Sequence, residues 1–106
     1  MEQDPVKVAP KNCKILLEND RVRVVETRLR AGGKMPMHSH PAYIIYALGS
    51  HKVKVTFPDG KTKEVKIKAG EALWSEGVSY AVDNIGTTEA HVLNIEFKEP
   101  PKKKKT

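Results

Sequence analysis

The sequence lacks the features on which several large classes of protein depend. Its single cysteine, Cys13, cannot form an internal disulfide, which fits a reducing compartment. No apolar run approaches the roughly 18 residues of a membrane-spanning helix, and the N-terminal MEQDPVK has no signal-peptide core. Nucleophile-elbow, phosphate-loop and dinucleotide motifs are also missing. We therefore expect a cytoplasmic protein with no membrane partner.

Aromatic residues are sparse, at 6% of the chain, and no basic strip is interleaved with them. The formal net charge is +6, but four of these charges are the consecutive lysines 102–105 of the terminal PPKKKKT, so +2 remains for the rest. A basic terminal run of this kind is typical of a solvated, disordered tail. We therefore predict no nucleic-acid partner and assign residues 99–106 to a disordered tail.

The sequence does contain the two-residue alternation that β-strands require. HKVKVTF (51–57) and KEVKIK (63–68) alternate around the turn residues PDG (58–60), which predicts a hairpin. EAHVLNIEFK (89–98) alternates as well, and we expect His91 to share the inner face of that strand. The side chains predicted to point inward are Val53, Val55, Val65, Ile67, Leu93, Ile95 and Phe97.

RVRVVETRLR (21–30) also alternates, but its charged residues move from odd to even positions where Val24 and Val25 adjoin. We expect a bulge there, with the charged side chains of the segment, Arg23 included, in solvent. Short strands at spacings of roughly 8–12 residues, with no convincing helix, predict one all-β sandwich or barrel. We divide the chain into an N-terminal arm (1–16), a barrel (17–98) and the tail (99–106).

His38 and His40 stand one residue apart in MHSH, beside the apolar segment YIIYAL. In a strand, residues two apart point the same way and lie roughly 6.5–7 Å apart along the chain. Two imidazoles so placed can converge on one ion at about 2.1 Å from each nitrogen. The spacing therefore indicates either a metal-binding pair or two ordinary histidines on a strand.

These residues resemble the sequence motifs of the cupin superfamily. Gly32, His38 and His40 are in register with the first motif, and Gly70, Gly77 and Asn84 of GEALWSEGVSYAVDN are in register with the second. The likeness covers about residues 17–98, and more narrowly the chain looks like small stand-alone cupins, some labelled β-alanine-degradation proteins. The resemblance implies a double-stranded β-helix (jelly-roll) barrel, often a homodimer, with a ligand pocket inside.

The chain departs from the family pattern at two of the four usual metal ligands. Ile44 stands where the family has a glutamate, and Tyr80 stands where it has the second-motif histidine. Tyr80 is then either a phenolate ligand or a hydrogen-bonding aromatic of the pocket wall. His91 is either a third nitrogen ligand or a core residue, and His51, at the closing glycine of the first motif, is expected to be a turn residue.

Two functions remain open on this reading. One is a metal-dependent enzyme of dioxygenase, isomerase or lyase type, in which His38 and His40 hold iron, manganese, nickel, copper or zinc at partial occupancy and the substrate is a small polar metabolite. The other is a non-catalytic small-ligand-binding cupin with a degenerate metal site. We also expect a homodimer in which the N-terminal segment covers a strand edge of the partner. The candidate pocket residues are Tyr80, Met37, Tyr46 and Trp74.

Overall fold

The protein is described by a computed structural model over residues 4–98, and the predicted tail at 99–106 lies outside this range. Within it the chain forms one helical turn and nine β-strands, and no helix is long and apolar enough to cross a membrane. The elements are α1 (Pro5–Val8), β1 (Cys13–Glu18), β2 (Val22–Leu29), β3 (Lys34–His40), β4 (Tyr43–Ala47), β5 (His51–Thr56), β6 (Thr62–Ile67), β7 (Ala72–Ser75), β8 (Val78–Asn84) and β9 (Ala90–Phe97).

The strands form two antiparallel sheets that enclose the core. One sheet has the order β1-β2-β9-β4-β7 and the other has the order β3-β8-β5-β6. The hairpin of β5 and β6 is as predicted, with Val53 opposite Val65 and with Gly60 at a φ of +89° in the turn. Such a positive φ is accessible to glycine because it has no Cβ. The predicted all-β jelly-roll architecture is confirmed.

The predicted inner face of β9 is wrong. Ala90, Val92, Asn94 and Glu96 are the buried members of this strand, whereas the alternate residues, which include His91, are half-buried on the outer face. The alternation was misread because the outer face of the five-stranded sheet is itself apolar. One row of apolar side chains crosses all five strands of that face, namely Leu17, Val24, Ile95, Ile44 and Trp74.

The expected bulge lies in the neighbouring strand. β2 pairs with β9 in unbroken register, while the register of β1 against β2 shifts between Ile15 and Leu17. Because β2 is regular, Arg23 lies on the same face as the fully buried Val25 and directly opposite Glu96 of β9. Arg23 therefore points into the protein, and its predicted place in solvent is corrected.

The predicted N-terminal arm (1–16) contains α1 and the start of β1. The carboxylate of Asp4 caps α1 by accepting a hydrogen bond from the Val6 amide at 2.9 Å. Pro5 is buried at the first position of the helix, where a missing N–H costs nothing. α1 packs against β1 and β3 of its own chain. β1 in turn pairs with the edge of β2 in the same chain.

Truncation of two adjacent valines should test which face of β2 is buried. Val25→Ala should lower the free energy of unfolding by about 2 kcal/mol, because Val25 is fully buried and its loss leaves a cavity. Val24→Ala, on the outer face, removes a half-buried side chain and should cost less than Val25→Ala. Urea titrations of the two variants make the comparison, and a larger loss in Val24→Ala would contradict the register.

Candidate functional site

A cavity of about 360 Å³ lies between the two sheets. Most of its wall is aliphatic or aromatic, and Pro5 of α1 borders it as well. The polar residues in its lining are Thr27, His38, His40, Tyr43, His51, Lys63, Ser75, Tyr80 and Asn94. This volume falls within the range of small-molecule pockets, which is roughly 300–1,000 Å³.

His38 and His40 both point into this cavity. A register shift between Met35 and His38 in β3 turns both histidines and Met35 to the inner face. The two rings are almost entirely buried, with their centroids 5.0 Å apart and their planes at 83°. The predicted placement of both side chains on one face of the strand is therefore present in the fold.

The Nδ1 atom of each ring faces a group that can only accept a hydrogen bond. His38 Nδ1 donates to the Pro36 carbonyl at 2.7 Å, and His40 Nδ1 donates to Oε2 of Glu96 at 2.8 Å. In the neutral ring the proton is then on Nδ1 and the Nε2 lone pair is free. Among residues 4–98 the hydrogen bonds of both rings are made through Nδ1, and neither Nε2 atom is hydrogen-bonded to another group of the chain. Burial lowers the pKa of His38, which favours the neutral ring.

Two tyrosines complete this end of the cavity. The hydroxyls of Tyr43 and Tyr80 share a hydrogen bond of 2.6 Å, and the Tyr43 ring stacks on His40 with centroids 4.3 Å apart. Burial raises the pKa of both phenols, that of Tyr80 well above its ordinary value of 10.0. A neutral, hydrogen-bonded phenol favours the wall role of Tyr80 over the phenolate role.

Behind His40 lies an ion network that the sequence analysis missed. Arg23 contacts Oε1 of Glu96 through Nε at 2.8 Å and Nη2 at 2.7 Å. Arg23 also donates to the two carboxylate oxygens of Asp4, each at 3.0 Å. Burial opposes the charged form of Asp4, but the hydrogen bond from Arg23 leaves the pKa of that carboxyl lowered. The signal available in the sequence was that Arg23 shares the parity of Val25 and Leu29.

Several predicted site residues lie elsewhere in the fold. His91 is on the outer face, where its Nε2 contacts Oε2 of Glu26 at 2.6 Å, so it cannot supply a third nitrogen to the pair. Tyr46 and Met37 do not border the cavity. Trp74 borders it, but its side chain is 56% exposed and its ring lies beside Phe97 on the outer face.

Two further positions of the family comparison are corrected by the fold. Ile44 points outward, and its neighbour Ile45 borders the cavity, so no acid occupies either position. His51 is the first residue of β5, and it is buried in the cavity wall with Nδ1 2.9 Å from the Gly49 carbonyl oxygen. It is therefore a lining residue at a strand start.

Two imidazoles with free Nε2 atoms could supply two protein ligands to a metal ion. An ion bound at Nε2 lies roughly 3.2 Å from the ring centroid, so two imidazoles on one ion have centroids about 4.6–5.3 Å apart at angles of roughly 90–110°. The observed separation of 5.0 Å agrees. Within residues 4–98 no group of three histidine, cysteine, aspartate or glutamate side chains could hold a metal. Water or a bound ligand would have to complete the coordination.

No protein-family model and no curated protein matches the chain. A cupin domain from Bordetella pertussis has 27% identity and a TM-score of 0.75, covering 82% of this chain and 92% of that one. An RmlC-like cupin from Methanocaldococcus jannaschii has 16% identity and a TM-score of 0.65, covering 83% and 80%. The polyketide cyclase RemF from Streptomyces resistomycificus has 25% identity and a TM-score of 0.60, covering 85% and 66%.

These structures share the double-stranded β-helix that the sequence motifs implied. They give no support to the narrower resemblance to β-alanine-degradation proteins.

The lowered pKa of His38 predicts a loss of stability in acid. The unfolded chain protonates this histidine near its ordinary pKa of about 6.5, whereas burial resists protonation in the folded state. The free energy of unfolding should be retained above about pH 6.5 and should fall below it. His38→Asn keeps a donor for the Pro36 carbonyl but does not titrate there, so denaturant titrations at pH 7 and 5 should show a smaller fall. An equal fall would contradict the assignment.

Proposed function

From the premise that this chain is a small cupin-fold domain, we propose that its cavity binds a small organic ligand beside a divalent transition ion held by His38 and His40. The observation that carries the proposal is the pair of buried imidazoles with centroids 5.0 Å apart and both Nδ1 atoms engaged. Their free Nε2 atoms are the ligand atoms that iron, manganese, nickel, copper or zinc would use. Such an ion acts as a Lewis acid toward the oxygen atoms of a bound ligand.

The charge around the pair supports a cation. Glu96 is one hydrogen bond from His40, and the cluster of Asp4, Arg23 and Glu96 carries two negative charges and one positive charge. An outer carboxylate of this kind increases the basicity of a ligating histidine. The site nevertheless has no anionic ligand of its own, so we expect weaker binding and lower occupancy than in a site of three histidines and a glutamate.

The cavity also suggests the kind of ligand. His38, His40, Tyr43 and Tyr80 form one polar cluster in its wall. The rest of the wall is mostly aliphatic, and its other polar members are Thr27, His51, Lys63, Ser75 and Asn94. A ligand with an apolar body and a polar end would satisfy both regions, because a buried polar group needs a partner. The likeness to a polyketide cyclase supports a carbon skeleton of this character. This narrows the small polar metabolite expected from the sequence.

A metal-free ligand-binding domain is the second candidate function. It is favoured by the outward position of Ile44 and by the neutral phenol of Tyr80, which remove two of the four ligands usual in the family. The two candidates share the cavity and differ only at the histidine pair. A metal-binding measurement therefore separates them.

Replacement of both histidines should abolish metal binding. The double variant His38→Ala, His40→Ala should take up no zinc, nickel or manganese, whereas the wild type should bind one ion per chain. His91→Ala is the matched control, because that histidine lies on the outer face. Isothermal titration calorimetry and elemental analysis give the stoichiometry, and the affinity should fall below about pH 6 as protons compete for imidazole. Uptake by the double variant, or none by the wild type, would favour the metal-free candidate.

We further propose that a second copy of the chain covers the outer face of the five-stranded sheet. Leu17 and Trp74, at the two ends of its apolar row, are 50% and 56% exposed. Ion pairs at the rim, such as Glu18 with Lys98 at 2.7 Å and Arg28 with Glu89 at 3.2 Å, balance charges of both signs. Paired charges of both signs suit contact between two identical surfaces better than contact with a strongly charged partner.

A charge placed in the apolar row should disrupt the homodimer. Trp74→Arg should shift sedimentation from dimer to monomer at micromolar concentration, because a guanidinium group would have to lose its water at the interface. Thr62→Arg, an exposed position on the other sheet, is the matched control and should leave the dimer unchanged. A wild type that remains monomeric at all micromolar concentrations would contradict the proposal.

A further inference from the structure

Asp4, Arg23, Glu96 and His40 form one continuous chain of charged hydrogen bonds that ends at the cavity. Arg23 contacts Asp4 at 3.0 Å and Glu96 at 2.7 Å, and Glu96 contacts His40 at 2.8 Å. The side chains of Glu96 and His40 are 3% and 2% exposed, and that of Arg23 is 13% exposed. The inner part of the chain, from Arg23 to His40, is therefore largely shielded from water, whereas the side chain of Asp4 at its outer end is 21% exposed.

The direction of every bond in this chain is determined by chemistry. A guanidinium group only donates hydrogen bonds, and an ionised carboxylate only accepts them. Because Arg23 occupies Oε1 of Glu96, the oxygen that remains for His40 is Oε2. A neutral His40 must then carry its proton on Nδ1, which leaves Nε2 without one.

We propose that Glu96 and Arg23 are positioning residues that hold His40 in the tautomer whose bare Nε2 faces the cavity, with Asp4 anchoring Arg23. This proposal rests on the proposed function in one respect, namely that a metal ion is what Nε2 of His40 binds. The tautomer itself is a property of the metal-free protein. His38 reaches the same tautomer through the Pro36 carbonyl, which no side-chain substitution can invert.

The histidine tautomers can be read from ¹⁵N–¹H correlation spectra of the metal-free protein above pH 7. His40 should show a proton-bearing Nδ1 and a bare Nε2. His91 provides an internal reference of the opposite kind, because its Nε2 is the atom that contacts Glu26 at 2.6 Å. A wild-type His40 with its proton on Nε2 would overturn the proposal without any variant.

Glu96→Gln should invert the tautomer of His40. Arg23 can only donate, so it will hold the amide oxygen of the new side chain, and the amide NH₂ will face His40 Nδ1. Nδ1 must then accept, and the proton moves to Nε2. Zinc affinity should fall by about 10- to 100-fold, as for other changes behind a metal-ligating histidine. Glu26→Gln, the matched carboxylate on the outer face, should change neither His40 nor zinc binding.

The double variant Arg23→Met, Glu96→Gln separates positioning from simple loss of structure. Without the guanidinium the amide is free to rotate, so its oxygen can accept from Nδ1 again and the wild-type tautomer of His40 should return. A merely structural role of Arg23 predicts no such return, and an unchanged tautomer in a folded Glu96→Gln would overturn the proposal. If the tautomers behave as stated but wild type binds no metal, the proposed ion is wrong and the positioning role stands.

Discussion

The buried contact between Arg23 and Glu96 is the constraint around which the rest of this protein is arranged. The two residues lie directly opposite each other on β2 and β9, and neither can turn outward without reversing the face of its whole strand. A buried pair of this kind contributes little net stability, but removal of one partner costs about 3–5 kcal/mol because the other charge is left without compensation. It therefore fixes the register of the central strands more firmly than an apolar contact would.

The register of β2 and β9 determines which of their side chains face the cavity. With Arg23 and Glu96 inside, β2 also directs Val25 and Leu29 inward, and β9 contributes Val92 and Asn94 to the wall. Glu96 then lies one hydrogen bond from His40, so the acid next to this histidine comes from the last strand. The cupin motif that the sequence resembles has an acid close after the histidines, and here Ile44 stands at that position.

The same arrangement leaves the outer face of the five-stranded sheet apolar. Ile95 and its neighbours on adjacent strands point away from the cavity, and Trp74 is more than half exposed. In this fold, apolar side chains lie on both faces of the sheet: some line the cavity and others lie on the outer surface. The cavity and the outer face therefore both follow from the parity of the central strands.

The sequence by itself determined the β-architecture, the β5–β6 hairpin and the shared face of His38 and His40. Each of these follows from local alternation or turn chemistry, because side chains two apart in a strand share a face whatever the strand packs against. The inward positions of Arg23 and Glu96 were decided only by the tertiary structure. These residues are 73 positions apart, and Arg23 was expected in solvent because the alternation of its own strand does not reveal its partner. Where both faces of a strand carry apolar residues, as in β9, alternation gives the period and only the partner strand gives the face.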